Sequence, residues 1–177
     1  HITSDIAHGL RLSISQAEEV KKQYGHALQN EVSETEIFST RIFGEERPVD
    51  IHRRDLAMII EARTEEIFDL VLQEIKRSGY DGLLPAGMVL TGGSSQLSGI
   101  RTLASHTLGL PVRVARPENL LGLTDQLNSP AYSTSVGLLN WALLMSEATP
   151  ATGHRQPKKG GSDWGDKITT FLKRLLP

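Results

Sequence analysis

One stretch of the chain holds residues whose types and order suit a nucleotide. Thr91-Gly92-Gly93-Ser94-Ser95 follows the apolar run Gly87-Met88-Val89-Leu90 and precedes Leu97, Ile100, Leu103, Ala104 and Leu108, which recur at helical spacing. A strand, a Gly-Gly turn and a helix in that order let a ribose or a base approach Gly92 and Gly93 closely, because neither carries a Cβ. The helix start that follows offers free N–H groups and the positive end of a dipole to phosphate. A ligand-free strand-to-helix turn takes Gly-Gly as readily, so the turn alone leaves both readings open. It is not a P-loop, since no Gly-Lys-Ser/Thr follows.

A second kind of chemistry sits at the other end. Trp164, Ile168, Phe171, Leu172 and Leu175 recur at i, i+4, i+7, i+8 and i+11, with Lys167, Lys173 and Arg174 on much of the rest. Fifteen helical residues reach about 22 Å, short of a ~30 Å hydrocarbon core, so such a helix would lie flat in a lipid surface. Docking on the chain's own body or on a partner helix is the alternative. Residues 149–161, rich in Pro, Gly and basic side chains, read as a flexible linker and favour the lipid surface. From residue 155 onward six basic residues face two acidic ones, so this end carries +4 and the other 154 residues −6 within a net charge of −2. An acidic body with a basic end is a partner signal.

Arg63 is the third candidate. It lies four and three residues after Ile59 and Ile60 and four before Ile67, on or beside an apolar helical stripe. There it either pairs with a local acid such as Glu66 or offers its fork to the carboxylates of an acidic peptide. The six His residues show no His-x-His or His-Glu-x-x-His spacing, and no Gly-x-Ser-x-Gly elbow occurs.

The elements that must position these groups follow from periodicity. Residues 2–10 suit a short helix capped by Thr3 or Ser4, and Gln16 to Tyr24 a second one capped by Ser15 and stopped by Gly25. Glu36–Phe43 and Arg47–Ile51 alternate around Gly44-Glu45-Glu46 and predict a hairpin, Pro48 marking an edge. Leu56, Ile59, Ile60, Ile67, Leu70, Val71 and Ile75 predict a long amphipathic helix over 53–77. Gly87–Leu90 reads as a buried strand and Pro111–Ala115 as a second strand. Residues 130–146 read as a nearly all-apolar, deeply buried helix opened by Pro130. Composition agrees with a globular α/β domain: 177 residues, 38% apolar, 23% charged. The absence of Cys excludes disulfides and thiolate chemistry, and the mild negative charge argues against nucleic acid.

In combination these motifs resemble the closing half of the actin–Hsp70–sugar kinase ATPase fold, and within it the bacterial actin family of the cell-division protein FtsA. The resemblance rests on His1-Ile2-Thr3-Ser4-Asp5-Ile6-Ala7, on Ala17-Glu18 with Lys21 and Tyr24-Gly25, on Ile59-Ile60-Glu61-Ala62-Arg63, on the Gly-Gly turn and on the tail. It implies the second lobe only: a mixed sheet flanked by helices, with residues 1–10 and 85–148 as core subdomain 2A, 11–84 as subdomain 2B, 149–161 as linker and 162–177 as membrane-targeting helix. The first lobe and both phosphate loops would precede His1, so ATP with Mg²⁺ would be held partly by residues outside this chain, and hydrolysis cannot be assigned to residues present in it.

The resemblance also implies roles. Glu18 would accept hydrogen bonds from ribose hydroxyls while the Lys21 stem packs near the base, where a solvated i, i+3 pair is the bland alternative. Ser94 and Gln96 would add polar contacts, although Ser94 could simply cap the next helix. Arg63, with Arg53 and Arg54 adding positive field, would receive the C-terminal tail of the tubulin-like protein FtsZ. The implied work is to polymerise as an actin-like protofilament and hold FtsZ to the inner face of the cytoplasmic membrane at the division site. Two other readings belong to the same superfamily: the half-site of a sugar-kinase-like phosphotransferase, and a PilM-like pilus-assembly protein, against which the basic tail speaks.

Overall fold

The computed structural model describes residues 1–118 and 127–148. They fall into two compact units, the first His1–Leu138 and the second beginning at Leu139. Linker residues 149–161 and the whole of 162–177 lie outside the described residues.

The chain opens with α1 (Ile2–Gly9) and α2 (Ile14–Tyr24). No side chain caps α1: it begins one residue before Thr3, whose hydroxyl is turned to another partner described below. For α2 the cap is Ser13 and not Ser15. Ser13 Oγ accepts from the Gln16 N–H at 3.3 Å and Gln16 Oε1 accepts from the Ser13 N–H at 3.2 Å, a reciprocal box that only the Ser-x-x-Gln spacing allows. Ser15 lies inside the first turn instead.

The hairpin forms as expected, but shorter. β1 (Ile37–Thr40) and β2 (Val49–His52) pair antiparallel, Ile37 opposite His52 and Thr40 opposite Val49, with an eight-residue connection over 41–48. Phe38 turns inward and stacks on Tyr24 at the end of α2, ring centroids 4.5 Å apart.

α3 (Arg53–Ser78) is the longest element, and Gly79 ends it in the left-handed conformation that glycine adopts without strain. Its buried positions are Leu56, Ala57, Ile60, Thr64 and Phe68. The stripe is therefore rotated from the one read in the sequence. Ile59, Ile67 and Val71 flank it half-buried, Leu70 is exposed, and Thr64 is admitted because its hydroxyl donates to the Ile60 carbonyl at 2.6 Å. Leu56 and Ile60 are wholly buried, each such side chain stabilising the fold by about 1.5–3 kcal/mol.

β3 (Met88–Leu90) and β4 (Val112–Val114) pair in parallel, Met88 beside Val112, and are joined through α4 (Ile100–Leu108). Gly87 precedes β3 with φ +74, and a Cβ there would lie 2.0 Å from the Pro111 carbonyl oxygen, so the two strands start this close only because residue 87 is glycine. One core unites α1, α2, β1, α3 and α4, with Ile6, Leu56, Ile60 and Leu103 at its centre.

Three further expectations are corrected. The described strands form two separate two-stranded sheets and not one mixed sheet. β3 is not fully buried, Val89 being 50% exposed, because a two-stranded parallel pair covered by one helix leaves its alternate side chains open. The last described helix, α5 (Ser133–Ala148), follows a 3-10 turn over Pro130–Tyr132. Within the first unit its Val136 is buried but its Leu138 is 60% exposed, short of the deep burial its composition predicts. A helix apolar all round has no polar face to turn outward, so whichever side lacks a neighbour exposes hydrocarbon.

Candidate functional site: a cleft between α2 and the Gly-Gly turn

Chain connectivity brings two distant segments together. After Gly25 the backbone runs beside the loop that follows the Gly-Gly turn: the Ala27 N–H donates to the Ser98 carbonyl at 2.8 Å, and His26 and Ser98 form a parallel bridge. Gly25 is required here, since a Cβ would lie 2.2 Å from the Lys21 carbonyl oxygen and 3.0 Å from Leu97 Cδ2. On the other side the Gly92 N–H donates to the Pro130 carbonyl at 3.1 Å, and Thr91 and Ser133 share a hydroxyl hydrogen bond of 2.6 Å. The result is a cleft of about 490 Å³ whose lining includes Glu18, Lys21, Arg53, Gly93, Ser94 and Gln96.

Five of the six residues expected to meet a nucleotide thus line one cavity, although Glu18 and Gln96 are 78 residues apart in the chain. The sixth, Gly92, stands next to it. Its backbone, φ +92 and ψ 171, is a conformation nearly confined to glycine, which accounts for Gly92 without any ligand. Gly93 is different. Its φ is not positive, and a Cβ would meet only Ala131 Cβ at 3.9 Å, an ordinary contact.

The turn departs from the expected shape. Gly93–Gln96 form a 3-10 helix and α4 begins only at Ile100, so Ser94 does not cap an α-helix and no α-helix start faces the Gly-Gly turn. Gly99, with φ +78, resets the chain before α4. Ser95 is the buried residue of the turn and its hydroxyl donates to the Gly92 carbonyl at 2.7 Å. Gln96 accepts from Ser129 Oγ at 3.4 Å.

Glu18 and Lys21 are more than a surface pair. Lys21 Nζ donates to Glu18 Oε2 at 2.5 Å and to Thr3 Oγ1 at 2.8 Å, while Thr3 Oγ1 donates to the same Oε2 at 2.6 Å. Lys22 Nζ stands 3.3 Å from Oε1. Partial burial by itself raises the Glu18 carboxyl pKa, but the Lys21 and Thr3 hydrogen bonds outweigh it and hold it at about 2, so the cleft wall carries a fixed carboxylate. Asp5 is likewise lowered, chiefly by its hydrogen bonds from Arg63, and Glu36 by those from Arg53.

These three native carboxylates bind fewer protons than the unfolded chain, so stability rises with pH across their range. The contribution of Glu18 is complete above its ordinary value of 4.5 and is lost as pH falls toward about 2. The melting temperature is therefore expected to fall as pH is lowered from 4.5 toward about 2, and Lys21→Met is expected to flatten that slope. An unchanged slope in the variant would show that Lys21 does not hold Glu18 ionised.

The three arginines read as a docking field are all engaged within the chain. Arg63 forks onto both oxygens of Asp5, 58 residues away on α1, and reaches Glu66 with its other nitrogen. Arg54 pairs with Glu34. Arg53 donates to the Tyr24 carbonyl at 2.7 Å and to Glu36 at 2.5 Å, and its place is in the wall of the cleft, a position its sequence neighbourhood does not reveal. Lys22 was legible as the i+4 neighbour of Glu18; Thr3, 15 residues away, was not. Trp164, Lys167, Ile168, Phe171, Leu172, Lys173, Arg174 and Leu175 lie outside the described residues. Among the described residues no helix is long and apolar enough to cross a membrane, and no group of three His, Asp or Glu could hold a metal ion.

The same arrangement of elements occurs in crystal structures of MreB5 of Spiroplasma citri. The one bound to ADP superposes with a TM-score of 0.60 at 17% identity, over 85% of this chain and 46% of that one. The one bound to AMPPNP gives 0.56. The fold is that of the actin-like ATPases. The family model of cell division protein FtsA matches residues 1–137, and the chain belongs to that family. It is 42% identical over 142 residues to FtsA of Pseudomonas aeruginosa, 44% over 142 to that of Bacillus subtilis and 32% over 180 to that of Escherichia coli K12. It covers 80%, 80% and 98% of its own length in these matches, and 34%, 31% and 43% of the relatives' lengths.

Proposed function

We propose that this chain supplies the second-lobe wall of an adenine-nucleotide cleft in an FtsA-type cell-division protein that polymerises and tethers FtsZ filaments to the inner face of the cytoplasmic membrane. One observation carries the reading: Glu18, Lys21, Gly93, Ser94 and Gln96 converge on a single cleft. The ionised Glu18 suits ribose hydroxyls, and the open space above Gly93, which nothing in the protein's own packing demands, suits a flat ring. Subdomain 2A would comprise 1–10 and 85–148, and 2B residues 11–84. The residues present fit the nucleoside part of ATP. Mg²⁺ and the phosphates would rest on groups outside this chain, and no hydrolytic step is assigned to it. Arg63 and Arg54 would face the FtsZ tail, Arg53 belonging instead to the cleft wall, and residues 162–177 would lie on anionic lipid.

The test uses full-length FtsA in which this chain replaces the segment it matches. Glu18→Ala is expected to weaken binding of a fluorescent ADP analogue roughly tenfold, the usual worth of a hydrogen bond to a charged group. Equal affinity of variant and parent would remove Glu18 from the site, and no binding by the parent would remove the cleft reading.

A further inference from the structure

Glu18 is held by a residue that lies outside its own helix. Thr3 sits in the first turn of α1, where its side chain makes no cap. Its hydroxyl instead accepts from Lys21 Nζ at 2.8 Å and donates to Glu18 Oε2 at 2.6 Å. A hydroxyl has one proton and its acceptor lone pairs, so these two bonds define a single orientation: the proton toward the carboxylate, a lone pair toward the ammonium. Lys21 also donates to Oε2, at 2.5 Å. Oε2 therefore takes two donors from within the protein. Among the described residues Oε1 carries only the 3.3 Å contact from Lys22, whose side chain is 71% exposed and free to swing away.

We infer that Thr3 is a positioning residue for the nucleoside end of the cleft: by occupying Oε2 together with Lys21, it fixes the Glu18 carboxylate so that Oε1 is the acceptor presented to a ligand diol. The inference rests on the nucleotide reading given above, and adds a residue that does not itself line the cleft. Lys21 alone cannot do this work. An ammonium on a four-carbon stem is a point charge that attracts either oxygen, whereas the hydroxyl of a short β-branched side chain has a narrow reach. Thr3 is held in place by its own helix, since α1 is pinned by buried Ile2, Ile6 and Ala7 on one face and by Asp5 to Arg63 on another. The carboxylate that meets the ligand is thus referenced to α1 and not only to the helix that bears it.

The consequence is selective. A misplaced carboxylate loses its bond to a ribose hydroxyl but leaves contacts to the base and to phosphate unchanged. A general loss of structure would weaken every ligand equally. The experiment compares ADP with 2′-deoxy-ADP by calorimetry on the full-length chimaera described above. The parent is expected to prefer ADP by roughly tenfold. Thr3→Val, nearly the same shape without the hydroxyl, is expected to lose most of that preference, with 2′-deoxy-ADP affinity unchanged, and Thr3→Ser to restore it. If Thr3→Val does not fold, Thr3→Ala gives the same ratio.

A parent that binds both ligands with a clear preference, alongside a Thr3→Val variant that keeps it, overturns the role of Thr3 and leaves the cleft reading standing. A parent that binds both ligands equally removes the ribose contact and the inference with it. A parent that binds neither removes the cleft reading itself. Equal weakening of both ligands in Thr3→Val, or no rescue by serine, reduces Thr3 to a structural residue and overturns the inference.

Discussion

Removing residues 162–177 is expected to abolish co-sedimentation of the chain with vesicles rich in phosphatidylglycerol. The expectation rests on periodicity and charge, since this segment lies outside the described residues. By their spacing Trp164, Ile168, Phe171, Leu172 and Leu175 would share one face of a helix, and Lys167, Lys173 and Arg174 would supply cations worth about 1 kcal/mol each near an anionic surface. One short helix is a modest anchor, so binding by the intact chain should be reversible and weaken as salt rises, because the Debye length shrinks from about 10 Å at 0.1 M to about 3 Å at 1 M. Self-association would firm it by avidity. Neutral vesicles should retain only the apolar share. Equal pelleting of the intact and shortened chains would remove the tether from the proposed function.

Arg63→Glu is expected to act in two ways, and the structure separates them. The guanidinium is 31% exposed and is held by two carboxylates, Asp5 on α1 and Glu66 on α3. Reversal places a third carboxylate between them, so α1 and α3 repel where they were clasped, and the melting temperature should fall by several degrees. The second effect is on an acidic peptide with the sequence of the FtsZ tail, whose affinity should fall about tenfold as a charge-assisted contact turns into a like-charge one. A peptide competes with Glu66, an exposed i, i+3 partner, more easily than with Asp5, which meets the guanidinium in bidentate geometry. Arg63→Glu combined with Asp5→Arg restores the clasp with its charges exchanged. If the double variant recovers stability but not peptide binding, Arg63 contacts the peptide directly. If peptide affinity is unchanged in Arg63→Glu, the docking site lies elsewhere.

Local signals were reliable where local physics decides. The long helix read over 53–77, one residue short of α3, and the pairing of the two alternating runs follow from periodicity and turn chemistry, which act over a few residues. They failed where packing chooses among equivalent faces. The buried stripe of α3 is centred on Leu56, Ile60 and Thr64 and not on Leu70 and Ile75, because α1 and α4 cover the N-terminal half of the helix on that side. The cap of α2 was misplaced by two residues since both Ser13 and Ser15 are plausible caps, and only Ser13 has Gln16 at the reciprocal position.

By itself the sequence determined the family, the order of elements and the residue types of the cleft, because each is carried by a motif a few residues long. Tertiary structure decided which of those residues meet. Thr3 reaches Glu18 across 15 positions, Arg63 reaches Asp5 across 58, and Arg53 turns into the cleft wall and not to an open surface. A side chain's partner depends on distances that close only when the core around Ile6, Leu56, Ile60 and Leu103 has packed, and no spacing along the chain encodes them.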